Sequence, residues 1–236
     1  MQRCGIEETS KAIDSENVSL VLVLRDSANH EASGLCARAK SKGITVKEIS
    51  RNDMWRMSKC NQGEQSPEIL ALVGRNPDAT VGEILSEGGI IWLLAGAKYP
   101  VNIGFTIRTA EVSGANAVFV DGELSHKEKK AALRASMKSN RFIPVHWINS
   151  FDLVSLARKS GFRIISIEDT GKTNPWDANL VGDILLVVGG EKHGIPSKIL
   201  DSSDSIIRIP MSGFVPSYNL QAPMAIVSAE AMRQNL

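Results

Sequence analysis

Apolar residues along this chain fall into short unbroken runs, separated by stretches in which apolar and polar positions recur at helical spacing. The run Val18–Leu24, "VSLVLVL", is apolar and β-branched, which predicts a strand buried on both faces. After it, "HEASGLCARAKSKG" reads as a helix closed by Gly43, "ITVKEI" as a short strand and "SPEILALVG" as a further short element. The rhythm then returns. "IIWLLAG", "AVFVDG", "RIISIE", "DILLVVGG" and "SIIRIPM" read as strands, and helices are predicted over 102–114, 127–138, 150–160, 197–202 and 219–235. Short apolar strands alternating with helices imply an α/β fold with a mostly parallel sheet covered on both faces. The intervening "RNPDATVGEILSEGG" is polar, rich in Gly and carries a Pro. It places a domain boundary near Glu83–Ser86, dividing the chain into 1–84 and 85–236.

Composition narrows the classes. The 236 residues leave room for two domains, and an apolar fraction of 43% fills real cores. A net charge of +1 means that any nucleic-acid surface must be local. Cys4, Cys36 and Cys60 stand far apart, which argues against a zinc ribbon or a disulfide scaffold and fits a reducing cytoplasm. His30, His126, His146 and His193 lack metal-ligand spacing, so no metal site is expected. No apolar run approaches the roughly 20 residues that span a membrane, and the N-terminus lacks a signal-peptide core. The expectation is a soluble, cytoplasmic protein.

In a parallel sheet, ligands bind beyond the carboxyl ends of the strands. That rule singles out the loops 96–104, 189–196 and 211–219. In the first, Asn102 suits a helix N-cap and Gly114 the helix end. Arg108 is not explained by a cap: a long Arg among Ile107 and Ala110 snorkels, pairs with an acid or reaches out to hold a phosphate. The second loop, "GGEKHGIP", has P-loop glycine spacing, but Ile195-Pro196 replaces Lys-Ser/Thr, and the pattern is not the dinucleotide fingerprint. Both nucleotide hydrolysis and nicotinamide chemistry are thereby disfavoured. Glu191 is a carboxylate at the mouth of the sheet, either a turn acid or a functional group. In the third loop, Ser217 and Asn219 precede an amphipathic helix carrying Leu220, Met224 and Val227 on one face. Asn219 suits a cap, Pro223 is tolerable in the first turn, and Met224 and Met232 read as core filler.

Taken in order, "NIGFTIRTAEVSGA", "LLVVGGEKHGIP" and "IRIPMSGFVPSYNLQAP" resemble the three motifs of the SpoU (TrmH-type) RNA ribose methyltransferases of the SPOUT superfamily. The resemblance covers roughly residues 88–236. Residues 1–84 look like the small α/β ribosomal-protein-like RNA-binding domain that often precedes such a catalytic domain. The resemblance implies a trefoil knot near the C-terminus, S-adenosyl-L-methionine bound within it, a homodimer with the site close to its interface, and methylation of a ribose 2′-hydroxyl in rRNA or tRNA. By motif position, Asn102, Arg108, Glu191, Ser217 and Asn219 fall where the family keeps its catalytic and polar residues. Cofactor contacts are expected at Gly189, Ile209 and Tyr218, largely through backbone, with Gly190, Gly194 and Met211 beside them. Tyr218 departs from the family's usual Leu, and "ASMKSNRFIPV" from its usual Ser-x-Gly-Ala-like stretch.

Lys127, Lys130, Arg134, Lys138 and Arg141 recur at three- and four-residue steps, a basic stripe that reads either as a solvated face or as a phosphate-binding surface. Residues 1–84 hold 11 basic and 12 acidic residues, so RNA recognition there would rest on shape and exposed bases. The competing expectation is a scaffold of the same fold that binds RNA without catalysis.

Overall fold

The computed structural model describes residues 1–58 and 65–235. Residues 59–64, including Cys60, lie outside them. The chain divides into two compact units, Met1–Pro77 and Asp78–Leu236.

In the first unit, β1 (Gln2–Cys4), α1 (Ile6–Ser15), β2 (Val18–Leu24), α2 (His30–Ser41), β3 (Thr45–Ile49), α3 (Arg51–Met57) and β4 (Ile69–Val73) follow one another. The sheet runs β1-β4-β2-β3, with β2 and β3 parallel and β4 antiparallel to both of its neighbours. Successive side chains of a strand point to opposite faces. Val21 and Val23 therefore pack with Ala12 and Ile13 of α1 and Leu35 and Ala39 of α2, while Leu20, Leu22 and Leu24 are buried as well. The expectation for Val18–Leu24 holds for this reason. Asn29 starts α2 by accepting the N–H groups of Glu31 and Ala32.

The second unit comprises α4 (Val81–Glu87), β5 (Ile90–Ala95), α5 (Pro100–Val112), β6 (Ala117–Asp121), α6 (His126–Ala135), β7 (Val145–Trp147), α7 (Ser150–Lys159), β8 (Arg163–Ile167), β9 (Ile184–Gly189), α8 (Ser197–Ser202), β10 (Ser205–Ile207) and α9 (Gln221–Gln234). Its six strands are all parallel, in the order β10-β8-β9-β5-β6-β7. The two faces alternate residue by residue. Trp92 and Leu94 of β5 pack with Ile103 and Ile107 of α5 and Met224 and Val227 of α9. Ile91, Leu93 and Ala95 pack with Leu153 and Ala157 of α7, Ile199 of α8 and Ile84 of α4. Helices on both faces explain why these strands read as unbroken apolar runs. Gly104 lets α5 close on α6: a Cβ there would lie 2.6 Å from the carbonyl oxygen of Ala132.

Several expectations are corrected. The sequence placed the boundary at 84/85, but the compact units divide after Pro77. The polar run is not a linker throughout: Thr80 and Glu83 form a capping box that starts α4, and Ile84 and Leu85 are buried in the second unit's core. The helix expected over 102–114 begins at Pro100, so Asn102 is not its cap. Tyr99 holds that position without a side-chain bond, and Pro100 occupies the first turn, where its missing N–H costs nothing. The helix expected over 127–138 ends at Ala135, because Met137 and Lys138 both take positive φ. In the third loop, Leu220 is the N-cap of α9, and Asn219 stands one residue earlier, accepting the Gln221 N–H at 3.2 Å. Met224 is buried as expected, but Met232 is 45% exposed and fills no core. The short β1, β7, α1, α3 and α4 had no counterpart in the sequence reading.

Candidate active site

The strand order reverses direction between β5 and β9, since the chain proceeds from β5 outward to β6 and β7 before returning to β8. A crevice at such a reversal, beyond the carboxyl ends of the strands, is where open α/β sheets bind ligands. A cavity of about 520 Å³ opens there. Its wall is built from the ends of β8 and β9 and from the segment that follows β10.

All six residues expected at the cofactor line it: Gly189, Gly190, Gly194, Ile209, Met211 and Tyr218. The glycines are required by close approach of backbone to backbone. A Cβ on Gly190 would lie 2.0 Å from the carbonyl oxygen of Gly96, and one on Gly189 would lie 2.4 Å from the carbonyl carbon of Gly194. The Gly190 N–H donates to Ala95 O at 2.7 Å, and the Gly194 N–H returns to Gly190 O at 3.2 Å, so the loop folds back on itself against β5. The Tyr218 hydroxyl donates to Pro210 O at 3.2 Å, closing the loop after β10.

The polar motif residues divide. Glu191, Ser217 and Asn219 lie on the cavity wall. Asn102 joins them through Glu191: its Nδ2 donates to Glu191 Oε1 at 2.8 Å, and the Lys98 backbone N–H donates to Oε2 at 3.1 Å. The carboxylate is thus fixed by two donors from the first loop. Arg108 does not line the cavity. Six residues past Asn102 is about 240° around the helix, which turns Arg108 onto a different face. It is exposed, and it borders a shallow groove between α5 and α9 with Val112, Gln221, Ala225, Ala229 and Met232. Gln221 Nε2 donates to Thr109 Oγ1 across that groove at 3.3 Å.

The basic stripe is shorter than the spacing suggested. Lys127, Lys130 and Arg134 are exposed on α6 at helical spacing. Lys138, itself at positive φ, and Arg141 after it lie past the end of the helix and so leave that face. Lys129, which the spacing did not select, stands 5.1 Å over the Trp147 ring.

Sequence reasoning missed Glu168 and Asp169, which line the cavity just past β8. The signal was available: both directly follow the apolar run "RIISI", at the strand end where the ligand rule applies.

The cavity suits a ligand of the size of an S-adenosyl group, within the roughly 300–1,000 Å³ of small-molecule sites. Apolar Ile209 and Leu220 offer surface to a purine. Among the described residues the wall carries three carboxylates, Glu168, Asp169 and Glu191, against one cation, Lys192, which favours a ligand bearing positive charge.

Residues 89–229 match the SpoU rRNA Methylase family. The 23S rRNA (guanosine-2′-O-)-methyltransferase RlmB of Xanthomonas axonopodis pv. citri (strain 306) is 25% identical over 243 residues, covering 98% of this chain and 96% of that protein. Among solved structures, the AdoMet-bound rRNA methyltransferase from Sinorhizobium meliloti superposes with a TM-score of 0.62 at 20% identity, covering 100% of this chain and 87% of that one. The SpoU methyltransferase AviRb from Streptomyces viridochromogenes, in complex with AdoMet, gives a TM-score of 0.57 at 22% identity, covering 100% of this chain and 90% of that one. These two likenesses are of fold. With the family match spanning more than half of its length, the chain belongs to the SpoU rRNA methylase family.

Proposed function

We propose that this protein is an RNA methyltransferase that uses S-adenosyl-L-methionine to methylate a ribose 2′-hydroxyl in rRNA or tRNA. The observation that carries this reading is the single cavity wall on which the six expected cofactor residues and three of the polar motif residues meet. When bound, S-adenosyl-L-methionine supplies a methyl group already activated on a sulfonium, so the chain's own task is alignment and handling of the hydroxyl proton. Alignment of reacting atoms and a positioned proton acceptor supply most of such an acceleration.

Asn102 orients the Glu191 carboxylate towards the cavity. Ser217 and Asn219 fix the loop that enters α9 and present polar groups to the ribose. Guanidinium holds its proton below a pH of about 12, so Arg108 acts by holding the target phosphate and lowering the hydroxyl's pKa by its charge. Lys127, Lys130 and Arg134 add sequence-blind phosphate contacts, Lys138 and Arg141 extend them past the helix, and residues 1–77 contribute target choice.

The same reading includes a homodimer and the trefoil knot. Val112, Ala225, Ala229 and Met232 give the α5–α9 groove an apolar surface suited to a second copy, and Arg108 stands on that groove rather than in its own chain's cavity. The segments after β8, β9 and β10 converge on one cavity, the region that a knot of this family would enclose. Among the described residues no helix is long and apolar enough to cross a membrane, and we assign the protein to the cytoplasm, where its RNA substrates are made. No observation favours an inert scaffold.

The test is calorimetric titration with S-adenosyl-L-homocysteine, with nicotinamide dinucleotide as control, followed by transfer of a labelled methyl group to total rRNA and tRNA. Binding of the first ligand alone and alkali-resistant labelled dinucleotides are expected. A folded protein that binds neither ligand would overturn the reading.

A further inference from the structure

Three carboxylates face the cavity, and they are not equivalent. Both oxygens of Glu191 accept donors, from Asn102 and from the Lys98 N–H. Asp169 is exposed to solvent. Glu168 is half-buried and only loosely engaged: its Oε2 accepts the Ile195 N–H at 3.3 Å and its Oε1 the N–H of Asp169 at 3.3 Å. Both bonds are long for N–H···O contacts, and among the described residues no cation pairs with this carboxylate. Gly194, at φ +63°, makes room for it: a Cβ there would lie 2.9 Å from Glu168 Oε2. The acid therefore sits between the end of β8 and the folded-back loop after β9, with capacity left for a ligand.

We propose that Glu168 makes the cavity discriminate between the methyl donor and its demethylated product. This rests on the functional reading above. The donor carries a sulfonium, an ammonium and a carboxylate. Its product carries a neutral thioether in place of the sulfonium and so has one positive charge fewer. A half-buried, unpaired carboxylate in the same cavity favours the more positive ligand, because charges there are screened less than in bulk water. Once the methyl group has left, that attraction falls, and release of product is eased. Glu168 is thus a specificity-determining residue towards the cofactor, and it also ties two walls of the site through the Ile195 N–H.

The experiment is calorimetric titration of the full chain and of Glu168→Gln with S-adenosyl-L-methionine and S-adenosyl-L-homocysteine separately. The wild type is expected to bind the donor more tightly than the product. The amide variant is expected to lose about tenfold in donor affinity, the effect of one charge at intermediate dielectric, while product affinity changes little. Equal weakening for both ligands would reduce Glu168 to a structural tie, and unchanged affinity for both would remove it from the site; either overturns the proposal. Should the variant fail to fold, the wild-type ratio of the two affinities is measured against ionic strength. A preference based on charge shrinks as salt rises, and a constant ratio overturns the proposal as well. A wild type that binds neither ligand fails the functional reading itself and is distinguishable from every result above.

Discussion

Asn102 Nδ2 and Glu191 Oε1 stand 2.8 Å apart, joining the first turns of α5 to the loop after β9 across 89 residues of sequence. The bond assigns Asn102 a task other than helix capping. Asn102→Ala should leave Glu191 with one donor, the Lys98 N–H, and cost about 1 kcal/mol of stability. Methyl transfer should fall by a larger factor than cofactor affinity. Asn102→Asp should be worse than Asn102→Ala, because it sets two carboxylates face to face. Denaturant unfolding and single-turnover transfer measured on both variants check the order; an aspartate variant as active as wild type would detach this bond from catalysis.

Arg108 is exposed and does not line the cavity, so its removal should spare the cofactor. Arg108→Ala is expected to abolish transfer while S-adenosyl-L-homocysteine binds within about twofold of wild type, the pattern of a group that acts on the RNA side of the transition state. An active Arg108→Ala enzyme would take this residue out of the mechanism.

Charge reversal at Lys130 and Arg134 should weaken RNA binding and flatten its salt dependence. Each lost phosphate contact lowers the slope of log affinity against log salt by about 0.7–0.9. Reversal at Lys129, which lies over Trp147, should instead act mainly on stability. Binding titrations at several salt concentrations separate the two, and an unaltered slope in the Lys130/Arg134 variant would return this face to ordinary solvated surface.

Gly190→Ala places a methyl group 2.0 Å from the carbonyl oxygen of Gly96, a backbone atom that β5 holds in place. A destabilisation of about 2–3 kcal/mol is expected, together with loss of cofactor binding. Gly213→Ala is the control, since nothing lies within 4 Å of a Cβ there. Thermal unfolding of the pair reads the difference.

At the end of α9, Arg233 and then Gln234 donate to Glu230 and hold its carboxyl well below the usual carboxylate range, at about 2. The folded value lies below the unfolded one. The contribution to stability is therefore complete above pH 4.5 and is lost as pH falls towards about 2. Glu230→Gln should be less stable than wild type near neutral pH and equal to it at the acid end. A carboxyl resonance of Glu230 titrating near 4.5 would contradict this.

The sequence by itself determined the longer buried strands and the ends at which chemistry occurs. Apolar runs such as Val18–Leu24 and Ile90–Ala95 read correctly because burial on both faces leaves no room for polar residues. The rule for strand ends then pointed to three loops, of which 189–196 and 211–219 line one cavity, while 96–104 reaches it only through the bonds from Lys98 and Asn102 to Glu191. Short elements escaped it: α4 rests on a local capping box and on Ile84 and Leu85 finding a core that its polar neighbours conceal. What only the tertiary structure decided were the relations between distant residues. That Asn102 serves Glu191 instead of capping α5 and that Arg108 does not line the cavity depend on helix phase and on strand order. Those quantities are fixed when α5, β8 and β9 pack around a common core, and no local pattern in the chain encodes them.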